Sequence, residues 1–196
     1  MKYVSDIMFW ISNGLLIPVV VGLIFLFAKS LLILGSLFAA YQARRSSEQK
    51  LGPLFSQLES HNLGSLEGYL EGVKNPSLFL RYTSMLLSAD RPRREYLIGE
   101  YELQAQKRMS SISLVAKFGP TLGLMGTLIP MGPALVGLAS GDIASMAYNM
   151  QVAFATTVIG LFAGAVGYAA KRPATAQMQR DMNRLLLVSD LMENHN

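Results

Sequence analysis

Residues 118–170 read FGPTLGLMGTLIPMGPALVGLASGDIASMAYNMQVAFATTVIGLFAGAVGYAA, and between Lys117 and Lys171 the one charged side chain is Asp142. Crossing a hydrocarbon layer about 30 Å thick takes about 20 apolar residues in helical form. Two such lengths fit, Phe118 to Ala139 and Asn149 to Ala170, with a polar turn beginning at Ser140-Gly141-Asp142 between them. The stretch therefore reads as a membrane hairpin. Pro120, Pro130, Pro133 and the many glycines would weaken a soluble helix, whereas neighbouring helices inside a membrane bundle can re-satisfy the freed backbone groups.

Toward the N-terminus a third uncharged run, Ile7 to Ala28, lies between Asp6 and Lys29. It is longer than the apolar core of a cleaved signal and has no small-x-small cleavage site after it, so it is expected to stay as an anchor. The apolar pattern resumes after Lys29 as SLLILGSLFAAYQA, before Arg44 and Arg45. The first helix should therefore continue out of the bilayer, with Lys29 snorkelling to the interface. Eleven Lys and Arg fall from Arg44 to Lys117 and four more follow the last span, while the opposite side holds only Lys2. The excess of cations on cytoplasmic loops then puts the N-terminus and the Asp142 turn outside, with residues 42–117 and the C-terminal tail in the cytoplasm.

Composition agrees with a lipid solvent: 51% of residues are apolar and 15% charged. The net charge of +4 comes from cations flanking the apolar runs, which suits an anionic leaflet and not a nucleic-acid groove. There is no Cys, and His61 and His195 stand apart from one another and from any carboxylate pair. No metal site, cofactor or enzymatic acid/base pair is expected. The fold class is all-α, a membrane protein with three transmembrane helices, two of them extended into a helical cytoplasmic region. Four segments divide it: 1–45, the first span and its extension; 46–110, a cytoplasmic helical region; 111–172, the hairpin; and 173–196, a C-terminal helix. Within 46–92 short helices are expected, broken at Gly52-Pro53, Asn62, Gly64 and Asn75-Pro76, and the second membrane helix should begin near Arg93. After Pro173 an apolar stripe of Met178, Met182, Leu185, Leu186 and Met192 lies opposite Arg180, Asp181 and Arg184, a pattern for packing on other helices or for docking another protein.

Helices in lipid associate through small residues that let backbones approach. Ala153, Thr157, Gly160, Gly164 and Gly167 fall on one face of the third span. Gly119, Gly123, Gly126 or Thr127, Pro130, and Pro133 or Ala134 make a comparable face on the second. Such faces serve plain helix packing as readily as a conduit. Thr121, Thr127, Thr156 and Thr157 are the main polar side chains at membrane depth; they could bond back to their own helices, or present oxygens to an ion or to water. A proton relay through hydrocarbon needs an ionisable carrier, and none accompanies them. This chain would form the wall of a pathway whose carrier belongs to another subunit.

The segment FGPTLGLMGTLIPMGPALVGLAS, a short turn, and MQVAFATTVIGLFAGAVGYAAKR together resemble the signature hairpin of the MotA/TolQ/ExbB proton channel family: a Pro-x-x-Gly-x-x-Gly-Thr opening, then Ala-x-x-Thr-Thr-x-x-Gly. The resemblance implies a homo-oligomer, a pentamer, enclosing the transmembrane helices of an ExbD/TolR/MotB-like single-span partner whose membrane Asp carries the proton. Ion flow, of protons or sodium, would drive movement of that partner, as in molecular motors for motility, protein transport or envelope maintenance. Thr127 and Thr157 match the threonines lining the family's pathway, and Pro120 matches its opening proline. With Thr156 and Thr121 they form the expected ion path, framed by pore-facing small residues Gly123, Gly126, Ala153, Gly160 and Gly164. Two features depart from the pattern. Val152 stands where ExbB- and TolQ-like members carry Glu, and the chain lacks the fourth span and larger cytoplasmic domain of motor stators. A different class of function, a non-conducting oligomeric membrane scaffold, uses the same small-residue faces for assembly alone.

Overall fold

The computed structural model describes residues 2–56, 63–72 and 77–193, so His61, His195 and the breaks expected at Asn62 and Asn75-Pro76 lie outside the described residues. Five α-helices follow one another: α1 Lys2–Ser56, α2 Leu63–Glu71, α3 Leu78–Leu87, α4 Arg91–Ser140 and α5 Ile143–Glu193. No strand occurs among the described residues. Three of the helices are long and apolar enough to cross a membrane. The fold is therefore all-α and multi-pass.

Several boundaries differ from the sequence expectation. Gly52 and Pro53 do not break a helix, since α1 continues through both to Ser56, and Gly64 lies inside α2. Pro173 stays within α5, which runs unbroken from the hairpin turn to the tail, in keeping with a third span extended beyond the membrane. A proline removes one backbone donor and crowds one turn, so a long helix held by other contacts can carry it. The two hairpin helices are also separated by a shorter turn than expected: α4 stops at Ser140 and α5 starts at Ile143.

The chain divides into two compact units. The first comprises Met1–Leu37 and Ser111–Lys171. Its buried residues are Val19, Leu23, Leu26 and Ser30 on one side of α1, and Ile112, Val115, Ile129, Ala134, Ala153, Ala163 and Val166 on α4 and α5. Leu122, Met125 and Ile159 pack around Val19, Leu23 and Ile129, while Leu26, Val115 and Ala163 form a second cluster. Outward-facing residues are large and apolar, among them Ile17 at 72% exposed, Phe154 at 68% and Val158 at 67%. A surface of that kind is stable only against lipid or protein.

Contacts within this unit also fix its ends. Gly22 lies against Leu122, and Gly167 against Ala116. Lys29, Lys117 and Lys171, each a short step further along its helix, thus fall near one end, where an interface would hold them. Phe9 approaches Gly132, so exposed Trp10 lies toward the other end of the unit, the end that carries the turn, as aromatic residues do near a membrane boundary.

The second unit, Phe38–Ser110 with Arg172–Asn196, has a core of its own. Phe55, Leu66, Phe79, Leu80, Tyr82, Leu86, Leu97, Tyr101, Leu185 and Val188 are buried together. Ser77 caps α3 by accepting from the Leu80 amide at 3.3 Å. The α5 stripe differs from its expected composition here: Asp181, Leu185 and Val188 are buried, whereas Leu186 is 44% exposed. Asp181 tolerates burial because the Tyr101 hydroxyl donates to its Oδ2 at 3.0 Å.

Candidate functional site: the small-residue seam of the hairpin

Backbones of α4 and α5 meet along a row of glycines. A Cβ added at Gly123 would stand 3.1 Å from the Gly160 Cα, and one at Gly119 would stand 2.7 Å from the Gly164 amide nitrogen. Added to Gly160, it would come within 2.6 Å of both the Gly119 carbonyl oxygen and the Gly123 Cα. Gly164 receives the ring of Pro120 in the space where a side chain would be. Toward the turn, Gly137 faces the backbone of Asp142 and Met146, a contact absent from the sequence expectation although its spacing from Gly126 and Pro130 extends the same helical face. Gly141 takes a left-handed φ of 75°, which suits the residue that closes α4. Asp142 then caps α5, accepting from the Ser145 amide at 3.0 Å, so the lone charge of the hairpin is spent on a helix start.

The two alternatives open on α4 are resolved by burial. Gly126 and Ala134, not Thr127 and Pro133, occupy the seam. On α5 Ala153, Gly160 and Gly164 lie in it, and Thr156, 6% exposed, fills the space opposite Gly126. Thr157 stands one step beyond, half-buried.

The four threonines therefore do not converge. At about 100° per residue, Leu122 and Ile129, which pack toward α1, lie on one side of the glycine row of α4, and half-buried Thr127 lies on the other. On α5, Ile159 and Ala163 lie on the α1 side and Thr157 on the opposite one. Thr127 and Thr157 thus border the seam along its edge away from α1, and Pro120 follows the same edge. Thr156 is enclosed within the seam. Thr121 is exposed on the outer face of α4.

Each hydroxyl donates to its own helix: Thr121 to the Lys117 carbonyl at 2.8 Å, Thr127 to Leu124 at 2.6 Å, Thr156 to Ala153 at 2.9 Å and Thr157 to Ala153 at 3.0 Å. The oxygens keep acceptor capacity after donating. An exposed groove on α5, lined by Ala147, Gln151, Phe154, Ala155 and Val158, adds one amide at membrane depth that the sequence expectation did not single out. Among the described residues no group of His, Cys, Asp and Glu could hold a metal ion.

Three long apolar helices, two of them joined backbone to backbone in a hairpin whose spans hold no carboxylate, His, Lys or Arg, define a polytopic membrane protein with a close-packed polar-edged seam. The model of the MotA/TolQ/ExbB proton channel family matches residues 90–186, a segment that contains the whole seam. On this match the chain belongs to the MotA/TolQ/ExbB proton channel family, and its general role is that of an ion-channel protein. No curated protein and no solved structure matches the chain.

Proposed function

We propose that the chain is the wall-forming subunit of a proton or sodium channel in the cytoplasmic membrane, with its N-terminus outside and its C-terminus inside. A ring of copies, five on the family pattern, encloses the transmembrane helix of a single-span partner whose Asp carries the ion. The observation that supports this most is the seam edge. Thr127 and Thr157 border the face of the hairpin away from α1, and their donors are committed to Leu124 and Ala153. Their oxygens therefore act as acceptors, suited to orienting water or a cation and unsuited to carrying a proton alone. With no carboxylate, His or Lys in either hairpin span, the titrating group has to come from the partner. The lysines at one end of the first unit support the orientation.

The test is ion leak across the membrane of cells co-expressing chain and partner. Thr127→Val with Thr157→Val keeps shape and removes both oxygens, and the leak should fall. An unchanged leak in the double variant would remove both threonines from the pathway. A second reading, a sealed non-conducting scaffold, draws support from the same back-bonded hydroxyls, since bonds to their own helix satisfy them without any ion. It predicts a stable homo-oligomer whose formation needs no Asp-bearing partner and which leaks nothing when that partner is present.

A further inference from the structure

The second unit contains a buried arginine for which no ion pair is seen among the described residues. Arg94, in the first turn of α4, is 5% exposed, and its Nε is buried without a hydrogen-bond partner. Its neighbours are engaged elsewhere. Arg91 binds Glu193 at 2.7 Å and Glu95 at 3.7 Å, and the Arg93 guanidinium lies 5.4 Å from the centre of the Tyr96 ring. Arginine cannot shed its proton to relieve burial, so an enclosed guanidinium requires an anion or a set of acceptors.

The helix start points to the same need. A helix N-terminus is electropositive and favours anions, yet α4 opens with Arg91, Arg93 and Arg94 and has no acidic residue in its first turn. The Arg94 amide is bonded to the Asp90 carbonyl at 2.9 Å, while those of Arg91 and Arg93 precede the first bonds within the helix. Helical side chains lean toward the N-terminus, the direction in which these amides lie from Arg94.

We propose that the start of α4 is a binding site for a small oxyanion, a carboxylate or a phosphate, held by the Arg94 guanidinium and the first-turn amides. The planar fork of arginine matches either group in a bidentate manner. The site is independent of ion conduction by the hairpin.

Titration of the full-length chain in detergent, labelled with 15N-arginine, tests it. The Nε–H resonance of Arg94 is assigned by its loss in Arg94→Lys. Sodium phosphate or sodium acetate should shift that resonance saturably and slow its exchange with solvent, while sodium chloride at matched ionic strength should not. A response to phosphate alone assigns the site to a phosphate group, and a response to acetate assigns it to a carboxylate such as an acidic side chain of a cytoplasmic partner. As a second measurement, phosphate or acetate should raise the unfolding midpoint of the wild type and leave that of Arg94→Met unmoved. A resonance that stays in place in both anions, or moves equally in chloride, overturns the proposal even if Arg94→Met fails to fold.

Discussion

Substituting Gly160 by Ala puts a methyl group where the structure leaves no room. The new Cβ would stand 2.6 Å from the Gly123 Cα and from the Gly119 carbonyl oxygen, both of them backbone and unable to rotate away. Carbon atoms at rest sit about 3.5–4.0 Å apart, so α4 and α5 must part by roughly 1 Å, and a gap of that size forfeits a quarter to a half of each dispersion contact along the row. Overpacking of this kind costs about 1–3 kcal/mol, against a gain of up to about 1 kcal/mol because Ala forms helix better than Gly. A net loss of about 1–2 kcal/mol follows from these opposing effects. Gly35→Ala is the control, since nothing lies within 4 Å of a Cβ there. The assay is thermal unfolding of both variants in the same detergent, with the leak measured in parallel. Gly160→Ala should melt early and lose conduction, while Gly35→Ala should match or exceed the wild type. Equal stability and equal leak in the two variants would refute the seam.

Other perturbations address parts outside the seam. Tyr101→Phe removes the donor to buried Asp181 and should destabilise the second unit by about 1–3 kcal/mol, read by chemical denaturation. Burial raises the Tyr101 hydroxyl above its ordinary value of 10.0, so the neutral form favours the folded state; this contribution is complete below pH 10 and declines as pH rises beyond it, a decline that Tyr101→Phe should lack. Asp142→Ala deletes the cap on the Ser145 amide and should cost about 1 kcal/mol with no loss of conduction, because the carboxylate serves the helix and not the ion.

The membrane hairpin was legible because a gap in charge between Lys117 and Lys171 has few other physical explanations. The glycine row was legible too, from spacings of three and four that any helix must gather on one face. Rotation about each helix axis was not. Thr156 and Thr157 are adjacent, and which of them enters the seam depends on Gly126 opposite, a relation between two helices that a linear spacing does not encode. The same holds for Thr127 against Gly126. Asp181 looked like the polar side of an amphipathic tail because its partner Tyr101 is 80 residues away in the chain. Pro53 suggested a break, whereas α1 passes through it. Gln151 gave no signal at all, being one amide in an apolar run.

Proton flux into liposomes is the most direct measurement of the central claim, that a hairpin whose two spans hold no carboxylate, His, Lys or Arg walls a pathway whose carrier is supplied by a second protein. Vesicles containing this chain alone should acidify no faster than empty ones under an imposed potential, and those containing chain and partner should acidify faster, with the gain lost when the partner's membrane Asp becomes Asn. Flux through the chain alone, or flux that survives the Asp→Asn change, would contradict it.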